Sequence, residues 1–188
     1  MSGRRVNVEQ PLFGAYIGTV VKVIEDSKDE RVFVKFGWFD DSTEFEARVA
    51  STYSGSNYGS LWTPEKETEV VVVFDHGDMR APIILGSLYN GKDMPPSRRR
   101  DGSDRKMWRT AAGHQLVFED GPKEQWVELK SNAGHRVFID DTKGRMELSF
   151  ANGASIVLTQ SELKLSAATI SIEGSASVKV NAETIHLN

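Results

Sequence analysis

Ala112-Gly-His-Gln-Leu-Val-Phe-Glu-Asp120 and Ala133-Gly-His-Arg-Val-Phe-Ile-Asp-Asp141 are two copies of one pattern, set 21 residues apart. A weaker third copy, Asn152-Gly-Ala-Ser-Ile-Val-Leu158, begins 19 residues later. Each copy is followed by a second strand-like stretch: Trp126-Val-Glu-Leu129, Arg145-Met-Glu-Leu148 and Glu162-Leu-Lys-Leu165. Beyond these the repeat contracts to apolar pairs at Leu163/Leu165, Ile170/Ile172, Val178/Val180 and Ile185/Leu187, seven or eight residues apart, among Ser, Ala, Gly and Thr. Strands repeating at a fixed period predict a β-helix or solenoid.

Packing arithmetic turns that prediction into an assembly. Each strand of the repeat offers only two or three apolar side chains on one face, and an isolated hairpin is marginal in water. From Ser161 onward there is no helix to cover the stripe and too little bulk for a private core. Three copies wound about a common axis, each giving strands to every face of a triangular prism, would make the stripe a dry interior. About nine strands between His114 and Leu187, at ~4.8 Å per layer, predict a shaft about 40 Å long. Its many non-local backbone bonds predict slow unfolding. Lys164, Glu173, Lys179 and Glu183 fall on the outer face, where charge opposes edge-to-edge aggregation.

Upstream the pattern differs. Residues 14–24 alternate and are β-branched, residues 31–38 repeat the alternation with Val32, Val34 and Phe36 on one face, and 46–50 form a short third strand. A glycine-rich loop spans 52–60, Glu69-Val-Val-Val-Val-Phe74 is a nearly apolar fourth strand ending at His76-Gly77-Asp78, and 81–88 is the fifth. Five short strands with glycine turns suggest a small barrel of the oligonucleotide/oligosaccharide-binding (OB) type, and periodicity alone supports a small antiparallel barrel and no more. The fold class expected is therefore all-β: an arm at 1–13, an OB barrel at 14–92, a linker at 93–109 and a trimeric β-helix needle at 110–188.

Charge follows the same division. The whole chain carries −4; residues 1–97 carry −5, residues 98–109 (RRRDGSDRKMWR) +4, and residues 110–188 −3. After Pro95-Pro96 the basic run reads as a solvated linker between two acidic blocks. A nucleic-acid partner is the other reading of that run, and a single-strand binder using Tyr53, Tyr58 and Trp62 as stacking platforms is the alternative function. It leaves the whole repeat unexplained. A receptor-binding fibre should carry a bulky C-terminal head, whereas this chain dwindles to small residues. Cysteine is absent, which excludes disulfides, thiolate metal sites and cysteine nucleophiles. No nucleophile elbow, phosphate loop, zinc helix or calcium loop occurs. Asp40-Asp41 and Asp140-Asp141 lie in turn-like stretches, where carboxylates bond their own backbone. No catalytic set, metal or cofactor is expected.

The barrel stretch resembles the OB domain of spike proteins of contractile injection machines: phage tail spikes, the valine-glycine-repeat (VgrG) spikes of type VI secretion, and extracellular injection-system spikes. The residues that carry it are Gly18-Thr-Val20, Arg31-Val-Phe-Val-Lys-Phe-Gly-Trp38, Ala47-Arg-Val-Ala50, Tyr58-Gly59, Pro64, Glu69 to Phe74, Gly77-Asp78, and Pro82-Ile-Ile-Leu-Gly-Ser-Leu-Tyr-Asn-Gly91 followed by Pro95-Pro96. The Gly-His repeats and dwindling needle match the same family, so the resemblance covers nearly the whole chain. Lys66-Glu-Thr68 departs from the Gly-Asp usual before the apolar strand, so a different turn is expected there.

The resemblance implies a homotrimer at the centre of a baseplate, in a phage tail or tail-like particle assembled in the cytoplasm and in some systems released from the cell. Its role is mechanical. Leu163, Leu165, Ile170, Ile172, Val178 and Val180 would form the axial core, and Gly113, Gly134 and Gly153 the corners. Ile185, His186, Leu187 and Asn188 would be the platform for a PAAR-like tip protein, because the His-x-His tip site of some phage spikes is missing. Few residues precede the barrel, which implies a hub supplied as a separate chain and favours a phage tail or extracellular system. The short 98–109 leaves no room for a muramidase insert. The remaining partner is the target envelope, met transiently; no nucleic acid is expected.

His114 and His135 share strand parity with Leu116/Phe118 and Val137/Ile139. In a trimer each could ring the axis and hold a metal or anion. The alternative is a corner residue bonded to backbone, which is preferred because the third copy carries Ala154. His186 has the same two readings, and His76 is expected in solvent.

Overall fold

The computed structural model describes residues 11–25, 29–97 and 103–186, and these divide into two compact units that meet in sequence at Pro95–Pro96. No α-helix occurs among the described residues.

The first unit is a closed barrel. Its strands are β1 (Tyr16–Val23), β2 (Arg31–Lys35), β3 (Phe45–Val49), β6 (Glu69–Phe74) and β7 (Pro82–Ser87), in the order β1-β2-β3-β7-β6, with β6 closing back on β1. All pairs are antiparallel except β3 with β7, where Arg48 faces Ile83 and Val49 faces Ile84. The all-β, five-stranded expectation holds. Two-residue periodicity explains the core: Val32 and Val34 point inward while Arg31, Phe33 and Lys35 alternate with them. Val20, Val70, Val72, Ala47 and Ile84 complete a fully buried centre, which Phe36 and Phe74 close with Tyr16, Trp38, Phe39 and Phe45 at 5.2–5.8 Å between ring centroids. Gly18 is needed because a Cβ there would lie 2.4 Å from Val34 Cγ1.

Two segments differ from expectation. The glycine-rich loop contains a small hairpin, β4 (Ser54–Gly55) with β5 (Tyr58–Gly59), anchored where the Ser60 amide donates to the Tyr53 carbonyl at 2.8 Å. Leu12, placed by sequence in an arm, is 7% exposed and belongs to the barrel core, its amide donating to the Gly77 carbonyl at 2.9 Å. The rest of that arm, residues 1–10, lies outside the described residues. His76 stands in a 3-10 turn with its side chain in solvent, as expected.

The second unit is a seven-stranded antiparallel meander: β8 (Arg105–Arg109), β9 (Gln115–Asp120), β10 (Gln125–Lys130), β11 (Arg136–Asp140), β12 (Arg145–Ser149), β13 (Ser155–Thr159) and β14 (Leu163–Ser166). Strand β8 corrects the linker reading. Half of the basic run pairs with β9 because Arg105 and Lys106 meet Glu119 and Asp120 across the ladder. Residues 98–102 lie outside the described residues.

The expected count of about nine strands from His114 is also revised. Within one chain β9 to β14 make six, and 167–186 forms no strand among its described residues. Strands need a hydrogen-bonded neighbour. Segments of seven or eight residues leave too little chain to turn and pair with themselves.

Candidate assembly face

The meander sorts its side chains onto two faces. The register aligns Leu116, Leu129, Val137, Leu148, Ile156 and Leu165 in one unbroken row across six strands. Two residues along, Phe118, Val127, Ile139, Met146, Leu158 and Leu163 form a second row on the same face. The opposite face carries Arg105, Glu119 and Trp126 on one row and Glu128, Phe138 and Glu147 on the next.

Burial runs against polarity. Glu119 is 4% exposed, whereas Leu129 is 56% and Leu163 64% exposed. The charged face is covered by its own side chains. Glu119 accepts from Ser103 Oγ at 2.9 Å, from the Asp104 amide at 3.0 Å and from Arg105 Nε at 3.0 Å. Burial works to raise the Glu119 pKa, but these donors, with the Arg105 charge, outweigh it and hold the carboxyl below its ordinary value. Arg105 in turn lies over the Trp126 ring, 5.4 Å from its centroid. Glu147 repeats the arrangement. Burial pushes its pKa up, and Arg136 at 2.9 Å, Ser149 and Arg145 bring it below the usual range. Arg136 also reaches Glu128 at 3.5 Å and lies 4.8 Å over the Phe138 ring.

This charged ladder was not singled out in the sequence. Its signal is there in retrospect, as opposite charges at facing positions of Asp104-Arg-Lys106 and Glu119-Asp120, but it needs the register to be read. The basic run loses much of its claim to an anionic partner, since Arg105 and Lys106 are engaged with carboxylates of the same chain.

Of the six residues assigned to an axial core, Leu163 and Leu165 end the two apolar rows; Ile170, Ile172, Val178 and Val180 lie in the strandless 167–186, and all six are exposed. Gly113, Gly134 and Gly153 occupy the reverse turns β8–β9, β10–β11 and β12–β13 at φ of 94, 91 and 105°, conformations that glycine adopts without strain. Ile185 and His186 are exposed; Leu187 and Asn188 lie outside the described residues. His114 and His135 each bond backbone: His114 Nδ1 accepts from the Asn132 amide at 3.2 Å, and His135 Nδ1 from the Ala151 amide at 3.3 Å. In the barrel, Tyr53, Tyr58 and Trp62 are exposed on the loop, the two tyrosine rings 5.3 Å apart. Lys66-Glu-Thr68 forms a turn in which Glu67 takes φ of 70°, the kind of position glycine usually fills.

A closed barrel followed by a strand meander with an uncovered apolar face marks a chain built to assemble with copies or partners. Residues 16–89 match the type VI secretion system/phage-baseplate injector OB domain, and residues 126–188 the phage baseplate V C-terminal trimerisation domain. The chain belongs to the family of VgrG-like spikes of contractile injection systems. The type VI secretion spike VgrG3 of Vibrio cholerae is 32% identical over 143 residues, covering 71% of this chain and 14% of that protein. VgrG1c of Pseudomonas aeruginosa is 26% identical over 159 residues, 72% of this chain and 22% of its own length. The actin cross-linking toxin VgrG1 of Vibrio cholerae is 25% identical over 182 residues, 92% of this chain and 16% of its own length. The chain thus spans 14 to 22% of these relatives. The matched domains are those of spike proteins and offer nothing to the nucleic-acid alternative. No described helix is long and apolar enough to cross a membrane.

Proposed function

We propose that this chain is the non-enzymatic central spike of a contractile injection machine, a homotrimer whose needle punctures the target envelope. The observation that carries the reading is the inverted burial of the meander. Eight of the twelve residues in the two apolar rows are exposed, while the charged face is closed by its own ion pairs. Each Leu, Ile or Val gains about 1.5–3 kcal/mol on leaving water, so the rows are driven against copies of themselves. Three chains wound as an intertwined prism put Leu163, Leu165, Ile170, Ile172, Val178 and Val180 on the axis, with 167–186 gaining its hydrogen-bonding neighbours from the other two chains. Gly113, Gly134 and Gly153 turn the corners. The barrel couples the shaft to a hub protein, and the end at Ile185 to Asn188 seats a PAAR-like tip protein. Contraction then delivers force along a rigid shaft with no chemistry of its own.

Light scattering on the full chain tests this. The expected mass is about three times 20.9 kDa, retained in detergent without heating and lost on boiling. A compact monomer overturns the proposal.

A further inference from the structure

The three glycine turns form one edge of the meander and are built alike. In the first, the Thr110 amide donates to the His114 carbonyl at 2.9 Å, the Gly113 amide to the Thr110 carbonyl at 2.9 Å, and the His114 amide to Thr110 Oγ1 at 3.1 Å. In the second, Ser131 takes the place of Thr110 and His135 that of His114, with distances of 2.8, 3.0 and 3.1 Å. The third keeps the two backbone bonds but has Phe150 and Ala154 at the polar positions. Sequence distance then gives way to contact. His114, in the first turn, accepts the Asn132 amide of the second, and His135, in the second, accepts the Ala151 amide of the third. The His135 ring also packs on Phe150 at 4.7 Å. The series stops where Ala154 has no acceptor to offer.

We propose that His114 and His135 are positioning residues that clasp each hairpin turn of the shaft to the next, and that the clasps hold only while both imidazoles are neutral. Chemistry forces the condition. A nitrogen that accepts from an amide has its lone pair committed, so the ring proton must sit on Nε2. Protonation puts a hydrogen on Nδ1, and two N–H groups then face each other where a bond was. The same tautomer argues against a histidine-held metal ring, because a metal on Nε2 would need that proton gone as well. The three turns carry no acidic residue, the flanking strand ends bear Arg109, Lys130 and Arg136, and the carboxylates two residues in from those ends, Glu128 and Glu147, are engaged by Arg136. The clasps stand on the meander itself and do not depend on which particle the chain serves.

Hydrogen–deuterium exchange on the full chain, corrected for intrinsic rates, tests this. Losing a net hydrogen bond should cut protection of the Asn132 and Ala151 amides by about tenfold. The loss should appear on acidification that protonates imidazole, with barrel amides such as Val72 unmoved. A variant carrying His114→Asn and His135→Asn keeps an acceptor that does not titrate, and should stay protected throughout. Wild-type protection that ignores pH, or a variant that shows the same loss, overturns the clasp. Nitrogen-15 shifts of the wild-type imidazoles give an answer that needs no variant: a proton on Nε2 at high pH supports it, and one on Nδ1 refutes it.

Discussion

In the barrel, Val32 and Val34 alternate with Arg31 and Lys35 and disappear from the surface; in the meander, Leu163 and Leu165 alternate with Lys164 and remain outside. The local patterns are the same. The barrel sheet curls until β6 meets β1, so its inward face has something to face. The meander stays open, and only its charged side is closed, by arginines folded onto Glu119 and Glu147. Strand periodicity decides which residues share a face; it does not decide whether the chain can cover that face alone.

The contrast can be broken most severely from the assembly side. Leu148→Asp with Ile156→Asp, paired neighbours in the first apolar row, should abolish self-association while the barrel keeps its fold. Sedimentation, with exchange protection of barrel amides such as Val72, would read both, and an assembly that survives both charges counts against this face as the interface. Ile84→Ala is the converse experiment. It should cost the barrel about 2–5 kcal/mol in denaturant unfolding and leave the subunit count unchanged.

Smaller effects sharpen the boundary between the regions. Gly113→Ala places a Cβ 2.8 Å from Asn132 Oδ1 at a φ of 94°, and should destabilise the meander by about 1–3 kcal/mol, with the barrel transition unmoved. The Glu119 and Glu147 carboxyls titrate below their ordinary value of 4.5, so their contribution is whole above that pH and lost as pH falls through the lower folded values. Meander stability should therefore drop in acid below about pH 4.5, and Glu119→Gln should flatten that slope in a pH series of thermal melts. The least change is expected from Glu67→Gly, which relieves a φ of 70° in the barrel and should be neutral or stabilising by about 1 kcal/mol.

These two regions were not equally legible. Val32, Val34, Phe36 and the apolar 69–74 run announced the barrel because every alternation there ends in burial within one chain. The 21-residue repeat announced the meander's hairpins, and the Gly-His pair its turns. Strand β8 was hidden because Arg105-Lys-Met-Trp-Arg109 looks like a solvated linker until Glu119 and Asp120 are seen across from it. The ion-pair ladder was hidden for the same reason: partners 11 to 14 residues apart are joined by register alone. Residues 167–186 read as strands, yet one copy gives them nothing to bond.

A closed barrel has no free edge, whereas the meander has two, and they differ. Strand β8 ends the sheet with Arg-Lys-Met-Trp-Arg, and β14 ends it with Leu-Lys-Leu-Ser followed by more apolar pairs. Cationic edges discourage strand addition and apolar ones invite it. The two borders are thereby unequal: the Leu163 border is open to further chain and the Arg105 border is guarded against it, so any strand added to the sheet is directed to one side only.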